Sequence, residues 1–270
     1  GVSSAASDVY KRQNTLYELV FAGVEEVAYL EADGTRHVLP HEQAIRPVGY
    51  EPEEAVLPGA DRSHPGYRLL SEYFVFPEKF RFFDLRLPKF THAGQEVDVL
   101  LLLTRQPRQR MAIEPDMFAL GCAPVANLFT RLVEPVHLDQ RLTEYRLVGD
   151  YRRERTTEVH SILSVAGITA ATGERTEFQP IFSFDHVSAQ QDAKAFWAIH
   201  REPSGRADLP GTETYLTFLD LTAAPSLPPV QTVLVEALCT NRVLAEQVPA
   251  GARLSVERGA PLQRITLLGK

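Results

Sequence analysis

The chain has 270 residues, 44% hydrophobic and 23% charged, a balance that belongs to a globular protein and excludes a disordered or fibrous one. Its formal net charge of −7 gives a nucleic-acid partner no electrostatic support. The longest wholly apolar runs resemble Val99–Leu103, too short to cross a bilayer as a helix, and two distant cysteines, Cys122 and Cys239, make no disulfide framework and fit a reducing compartment.

Residues 1–13 (GVSSAASDVYKRQ) are small and polar with no apolar period, and read as a non-native scar without fixed structure, followed by a truncated gene. Leu16–Phe21 is a short apolar segment that suits helix or strand. Val27–Leu30 and His37–Leu39 flank Asp33–Gly34, a hairpin signal. Ile45–Tyr50 then leads into Glu51–Glu54 (EPEE), one helical turn.

The densest feature is His64–Leu87, which carries the rings of Tyr67, Tyr73, Phe74, Phe76, Phe80, Phe82 and Phe83. Ser63 or His64 is placed to cap a helix, with Pro65 in its first turn. Tyr67, Leu70 and Phe74 form one apolar row; Leu69, Tyr73 and Phe76 form a second beside it. Pro77 ends the helix, because it lacks an N–H and restricts Phe76. Phe83, Leu85 and Leu87 then alternate with Asp84 and Arg86, a strand period. So many rings require a partner surface. Tyr67, Leu70, Tyr73, Phe74, Phe76, Phe80, Phe82 and Phe83 are therefore core residues first and subunit-interface residues second. Glu78 and Lys79 read as a polar edge on this cluster.

Val97–Leu103 reads as a buried strand, and Pro115 opens a helix running to Phe129, interrupted by Pro124. Beyond it the texture changes to strands at Arg131–Leu138, Thr143–Val148, Glu158–Val165, Thr176–Phe184, Lys194–His200, Thr212–Leu221 and Val230–Leu238, with turns about every dozen residues. Around Tyr215–Leu219 both alternating rows are largely apolar, as in a central strand. Pro225–Pro229 is a connector, Asn241–Gln247 a short helix, and Ile265–Lys270 a strand cut short. The fold class is α+β and strand-rich: a mixed α/β region at 14–135 with the aromatic helix–strand block, then an antiparallel, β-sandwich-like region at 136–270.

No arrangement for catalysis emerges. GxSxG, HExxH, P-loop, GxGxxG and EF-hand patterns are missing. His37 and His41 share helical spacing, but Pro40 lies between them, and a chance pair is the better reading than a metal site. His160–Ser161 could join a distant Asp in a hydrolase triad only in the loose sense that any chain of this length offers, and Cys122 reads as a buried structural thiol. Arg105–Arg110 and Arg152–Arg155 read as solvated faces. No catalytic residue, cofactor site or metal site is assigned.

Five blocks in order carry a resemblance: PVGY at Pro47–Tyr50, GYRLLSEYFVFPEKFRFFDL at Gly66–Leu85, FALGCAPVANLF at Phe118–Phe129, EPVHLDQRLTEYRLVGD at Glu134–Asp150, and EVHSI at Glu158–Ile162. Together they resemble the TssF family, also called VasA or ImpG, from Leu16 to the end of the chain, with the N-terminal part and the C-terminal end missing. The resemblance implies a non-enzymatic structural subunit of the type VI secretion system baseplate. It also implies assembly with TssG and a second TssF copy into a wedge, contacts to TssK and the spike hub and sheath, and a cytoplasmic location docked at the inner-membrane complex without membrane insertion. The alternatives are a phage-tail-like baseplate wedge protein and, from another class, a β-sandwich carbohydrate-binding or hydrolase domain.

Overall fold

A computed structural model describes residues 4–59, 64–90, 96–104, 112–139, 141–181, 196–219, 225, 232–256, 259 and 261–268. The chain divides into two compact units, Gly1–Ala126 and Asn127–Lys270.

The first unit begins with helix α1, Ser4–Gly23. Residues 4–13, expected without fixed structure, are its first turns. Leu16 and Val20 lie one turn apart and are buried against Val24, Val27 and Tyr29. That packed turn overcomes nucleation, and good helix formers such as Lys11, Arg12 and Gln13 then extend it at little cost. Strand β1, Val24–Glu31, and strand β2, Arg36–Pro40, form the hairpin that the Asp33–Gly34 signal predicts. Gly34 takes φ +88°, and Thr35 N–H donates to Asp33 Oδ1 at 2.8 Å. A short helix α2, His41–Ala44, leads to strand β3, Ile45–Pro47. Helix α3, Pro65–Val75, is followed by a 3-10 turn at Pro77–Arg81 and by strand β4, Phe83–Leu85, which pairs antiparallel with β3.

Strand β5, Val97–Leu103, completes a sheet in the order β2-β1-β5. The expectation of a buried strand fails here. The central place belongs to β1, whose Val27, Ala28 and Tyr29 are sealed, whereas Val99, Leu100, Leu102 and Leu103 of β5 are exposed. A run of leucines dictates the strand but not its position in the sheet. The helix expected from Pro115 to Phe129 is also corrected. Only Pro115–Met117 forms a 3-10 turn; Gly121 turns to φ +65° and Pro124 has no N–H to give.

Among the described residues, the named strands of the second unit pair antiparallel, with one isolated parallel bridge between Pro180 and Trp197. Its strands are β6 (Phe129–Leu132), β7 (Val136–His137), β8 (Glu144–Leu147), β9 (Glu158–Ile168), β10 (Arg175–Phe178), β11 (Phe196–Pro203), β12 (Thr212–Leu219) and β13 (Thr232–Thr240). Strands β14 (Arg253–Leu254) and β15 (Ile265–Thr266) form a separate pair. One sheet runs β10-β9-β13-β6 with β7 also on β13; the other runs β11-β12-β8. A shared core of Tyr145, Leu147, Val165, Trp197, Leu216, Phe218, Val233, Val235 and Cys239 fills the space between them, as in a sandwich. The central strand read from Tyr215–Leu219 is β12, flanked on both sides. Pro135 divides the expected single strand Arg131–Leu138 into β6 and β7. The expected strand residues 182–184, 194, 195, 220, 221, 230 and 231, the connector residues 226–229, and 269–270 lie outside the described residues, as do 105–110.

Candidate subunit interface

Helix α3 forms as its sequence directs. His64 caps it, its Nδ1 accepting from Gly66 N–H at 3.0 Å, and Pro65 stands at the first position. Phe76 N–H closes the last turn on Glu72 C=O at 2.7 Å, and Phe76 then leaves the helical region (φ −143°, ψ 70°) ahead of Pro77.

The face that α3 turns inward differs from the one the apolar rows predict. Buried on it is Glu72. Its Oε1 accepts from Val56 N–H and Leu57 N–H, both at 2.9 Å, and its Oε2 meets the ammonium of Lys79, which is also buried. Arg68, one turn earlier, lies 3.7 Å from the same oxygen. Burial raises the Glu72 pKa, but the Lys79 ammonium and the Leu57 and Val56 N–H groups outweigh it and hold the carboxyl below its ordinary value. Lys79, expected at a polar edge, is thus the interior counter-ion of the helix. Its Nζ also sits 5.3 Å from the Phe80 ring centroid.

Around this pair the PVGY block forms a tight loop. Gly49 adopts φ +110°, and a Cβ there would meet Lys79 Cε and Lys79 C=O at 3.3 Å. Glu54 accepts from the N–H groups of Gly49 (2.6 Å), Tyr50 (3.1 Å) and Glu51 (3.3 Å), and holds Arg46 at 2.8 Å. Burial raises the Glu54 pKa, while these backbone bonds and Arg46 bring it below normal. A groove of ≈450 Å³ lies beside the loop, bordered by Val48, Glu54, Val56, Lys79, Phe82 and Leu120.

The predicted interface or core residues divide by position. Phe80 is buried, its ring 5.2 Å from Tyr50 and 5.7 Å from Tyr73. Phe76, Phe82 and Phe83 are half-buried, Phe83 edge-on to Phe21 at 6.2 Å. Tyr67, Leu70, Tyr73 and Phe74 stand in solvent with Val75; Tyr67 is 69% exposed and Phe74 80%. The rest of this chain does not cover these four, so of the two expectations, core and subunit interface, the second is the one taken up below as a proposal. They form a charge-free aromatic face rooted by an ion pair. The sequence offered one hint of this: Arg68 and Glu72, spaced i,i+4, are the charged positions of an otherwise apolar helix.

In the second unit, the polar residues of the recurring blocks are occupied by the backbone. Asp139 Oδ1 accepts from Arg141 N–H and Leu142 N–H; Asp150 Oδ1 accepts from Arg152 N–H and Arg153 N–H. Glu158 Oε1 accepts from Thr212 N–H at 2.9 Å. Arg146 joins Glu154 and Glu213, and hydrogen bonding from Arg146 keeps Glu154 ionised below its usual range against the opposing effect of burial. The cavity these residues line measures ≈10 Å³, room for one water. His160 lies 3.3 Å from Ser161 Oγ, but its pKa is lowered, first by burial and then by Arg201. Cys122, expected to be buried, is half-buried with its Sγ 3.8 Å from Leu120 C=O, whereas Cys239 is in the core. His37 pairs with Glu31 Oε1 at 2.6 Å and His41 lies edge-on to Phe21, so the two do not converge.

The family described as "Type VI secretion system, TssF" matches residues 10–270. A relative from Pseudomonas aeruginosa, "Type VI secretion system component TssF1", is 30% identical over 243 residues, covering 83% of this chain and 39% of its own length. A cryo-electron microscopy structure of a TssK-TssF-TssG baseplate subcomplex of the type VI secretion system contains a chain with the same fold. Its TM-score is 0.69 at 21% identity, over 94% of this chain and 46% of the other. This chain therefore spans less than half the length of the relatives it matches.

Proposed function

Because the chain belongs to the TssF family of the type VI secretion system, we propose that it serves as a structural subunit of the baseplate and assembles through shaped surfaces without catalysing a reaction. The observation that carries the reading is the exposed face of α3: Tyr67, Leu70, Tyr73, Phe74 and Val75 present on the order of 700 Å² of uncharged surface, close to one partner's share of a stable interface. Tyr and Phe are enriched at the buried centres of protein–protein interfaces. The related structure contains TssK and TssG beside its TssF chain, and a TssG-type subunit is the proposed occupant of this face. A second TssF copy, TssK, and the spike hub and sheath complete the proposed set of partners. The proposed site of assembly is the cytoplasm, against the inner-membrane complex; no helix among the described residues is long and apolar enough to cross a membrane.

A non-catalytic role is supported by where the acidic groups go. Glu54, Glu72, Asp139, Asp150 and Glu158 accept from backbone N–H groups. Co-purification of the tagged chain with TssG and TssK from one type VI system tests the proposal. The parent chain should carry TssG with it, and Phe74→Asp should not. A parent chain that retains neither partner removes the reading.

A further inference from the structure

Arg68 and Glu72, the charged residues of α3, are both turned away from solvent. The Arg68 side chain is 11% exposed and donates to Glu51 C=O at 3.4 Å, and Glu72 is buried. Apart from the tyrosine hydroxyls, the one polar residue left among the exposed rings is Ser71, and its hydroxyl is committed. Ser71 Oγ donates to Tyr67 C=O at 2.9 Å, one turn back in the same helix. Ser71 is exposed, so it offers the outside a single small carbon where its neighbours offer rings and a branched chain.

Tyr67, Leu70, Ser71 and Phe74 stand at i, i+3, i+4 and i+7 of α3. Four residues at that spacing bound the hole that receives one side chain, the knob, of a facing helix. Three of them are large and exposed and the fourth is small, which makes the hole deep. Its wall is braced from within: the Phe74 ring lies 5.8 Å from that of Tyr73, which lies 5.7 Å from the ring of buried Phe80. The main-chain groups of α3 are spent inside the helix and leave a strand nothing to pair with.

We infer that the occupant of this face is an uncharged apolar helix of the partner subunit, which seats one large apolar side chain, leucine in size, between Tyr67, Leu70, Ser71 and Phe74. The inference rests on the reading of α3 as the surface that meets TssG, and adds the form and chemistry of what meets it. A charged segment is excluded, because the face holds no opposite charge to pair with it once water is expelled. A flat apolar surface would leave the hole unfilled and lose its packing contacts. One helix laid along the 11 residues of α3 covers the patch.

Titration of the 270-residue chain with TssG from the same type VI system tests this, using Ser71→Leu and, as a second blocking variant, Ser71→Met. Both fill the hole while adding apolar area, and both residues favour helix. Each should weaken TssG binding roughly tenfold or more, the effect of overpacking an occupied site, with an unchanged circular dichroism spectrum. Phe74→Asp should abolish binding. Should Phe74→Asp abolish binding while Ser71→Leu and Ser71→Met bind as tightly as the parent, the hole is overturned and the α3 face stands as the interface. Parental binding by Phe74→Asp overturns both readings. Cysteines placed one at a time along TssG should cross-link to Ser71→Cys at every third or fourth position. A period of two, or no period, overturns the helical occupant.

Discussion

Lys79 and Glu72 form an ion pair with both side chains withdrawn from water, 1% and 2% exposed. Removing one member leaves the other charge buried and uncompensated, which costs about 3–5 kcal/mol. Lys79→Met should therefore lose that much stability in urea denaturation although it adds apolar surface. Because Val56 and Leu57 N–H groups also depend on Glu72, Glu72→Met should lose at least as much. A Lys79→Met chain as stable as the parent would show that the pair contributes nothing.

The same carboxylate makes stability depend on pH. In the folded chain the Glu72 pKa lies below its ordinary value of 4.5, despite the raising effect of burial, because Lys79 and two backbone N–H groups favour the charged form. The unfolded chain then binds the proton more readily. The contribution of Glu72 is fully present above the unfolded pKa and is lost as pH falls through the folded one. Glu54 acts in the same direction. Urea midpoints measured from about pH 6 down to about pH 3 should fall for the parent and fall less steeply for Glu72→Gln.

Phe74 and Phe80 lie six residues apart in sequence and should behave oppositely. Phe80 is buried between Tyr50 and Tyr73, so Phe80→Ala should cost about 3–5 kcal/mol. Phe74 is 80% exposed, so Phe74→Asp should change stability by about 0.5 kcal/mol or less while abolishing capture of TssG. Thermal melts paired with co-purification separate the two effects.

Gly49 combines left-handed backbone with a close approach by Lys79. A methyl group there carries the cost of φ +110° and displaces the lysine stem. Gly49→Ala should destabilise by about 1–3 kcal/mol, measured by chemical denaturation. An Ala chain of parental stability would show that the loop relaxes freely.

Local structure was legible wherever a residue's own backbone chemistry decided it. His64, Pro65 and Pro77 bound α3, Asp33–Gly34 turns the first hairpin, and the doubly apolar rows near Leu216 mark a central strand. What periodicity could not supply is which face of an element meets the rest of its unit. Tyr67, Leu70 and Phe74 repeat at core spacing, yet the buried position is Glu72, because a carboxylate satisfied by two N–H groups and an ammonium is as buriable as a ring. Likewise Val97–Leu103 has the composition of a central strand and lies at an edge. Both departures leave apolar surface in solvent, the kind of surface that marks a candidate interaction site.

Arg242 fastens the second unit in a way that its sequence does not advertise. It holds φ 48°, an uncommon value for a side chain with a Cβ, and its guanidinium is almost fully buried. Nε donates to Glu154 C=O at 3.0 Å and Thr157 C=O at 3.1 Å; Nη1 donates to Pro210 C=O at 3.0 Å and lies 3.7 Å from Glu158 Oε2. One planar fork thus ties two separate segments, 154–158 and the loop at Pro210, to its own. Arg242→Ala leaves those carbonyls without their donor and should cost about 2–4 kcal/mol. Arg242→Lys keeps the charge but offers a single ammonium where several directed N–H groups are needed, so it should recover less than half of the loss. Full recovery by lysine in urea denaturation would mean that charge near Glu158, and not the fork, secures these loops.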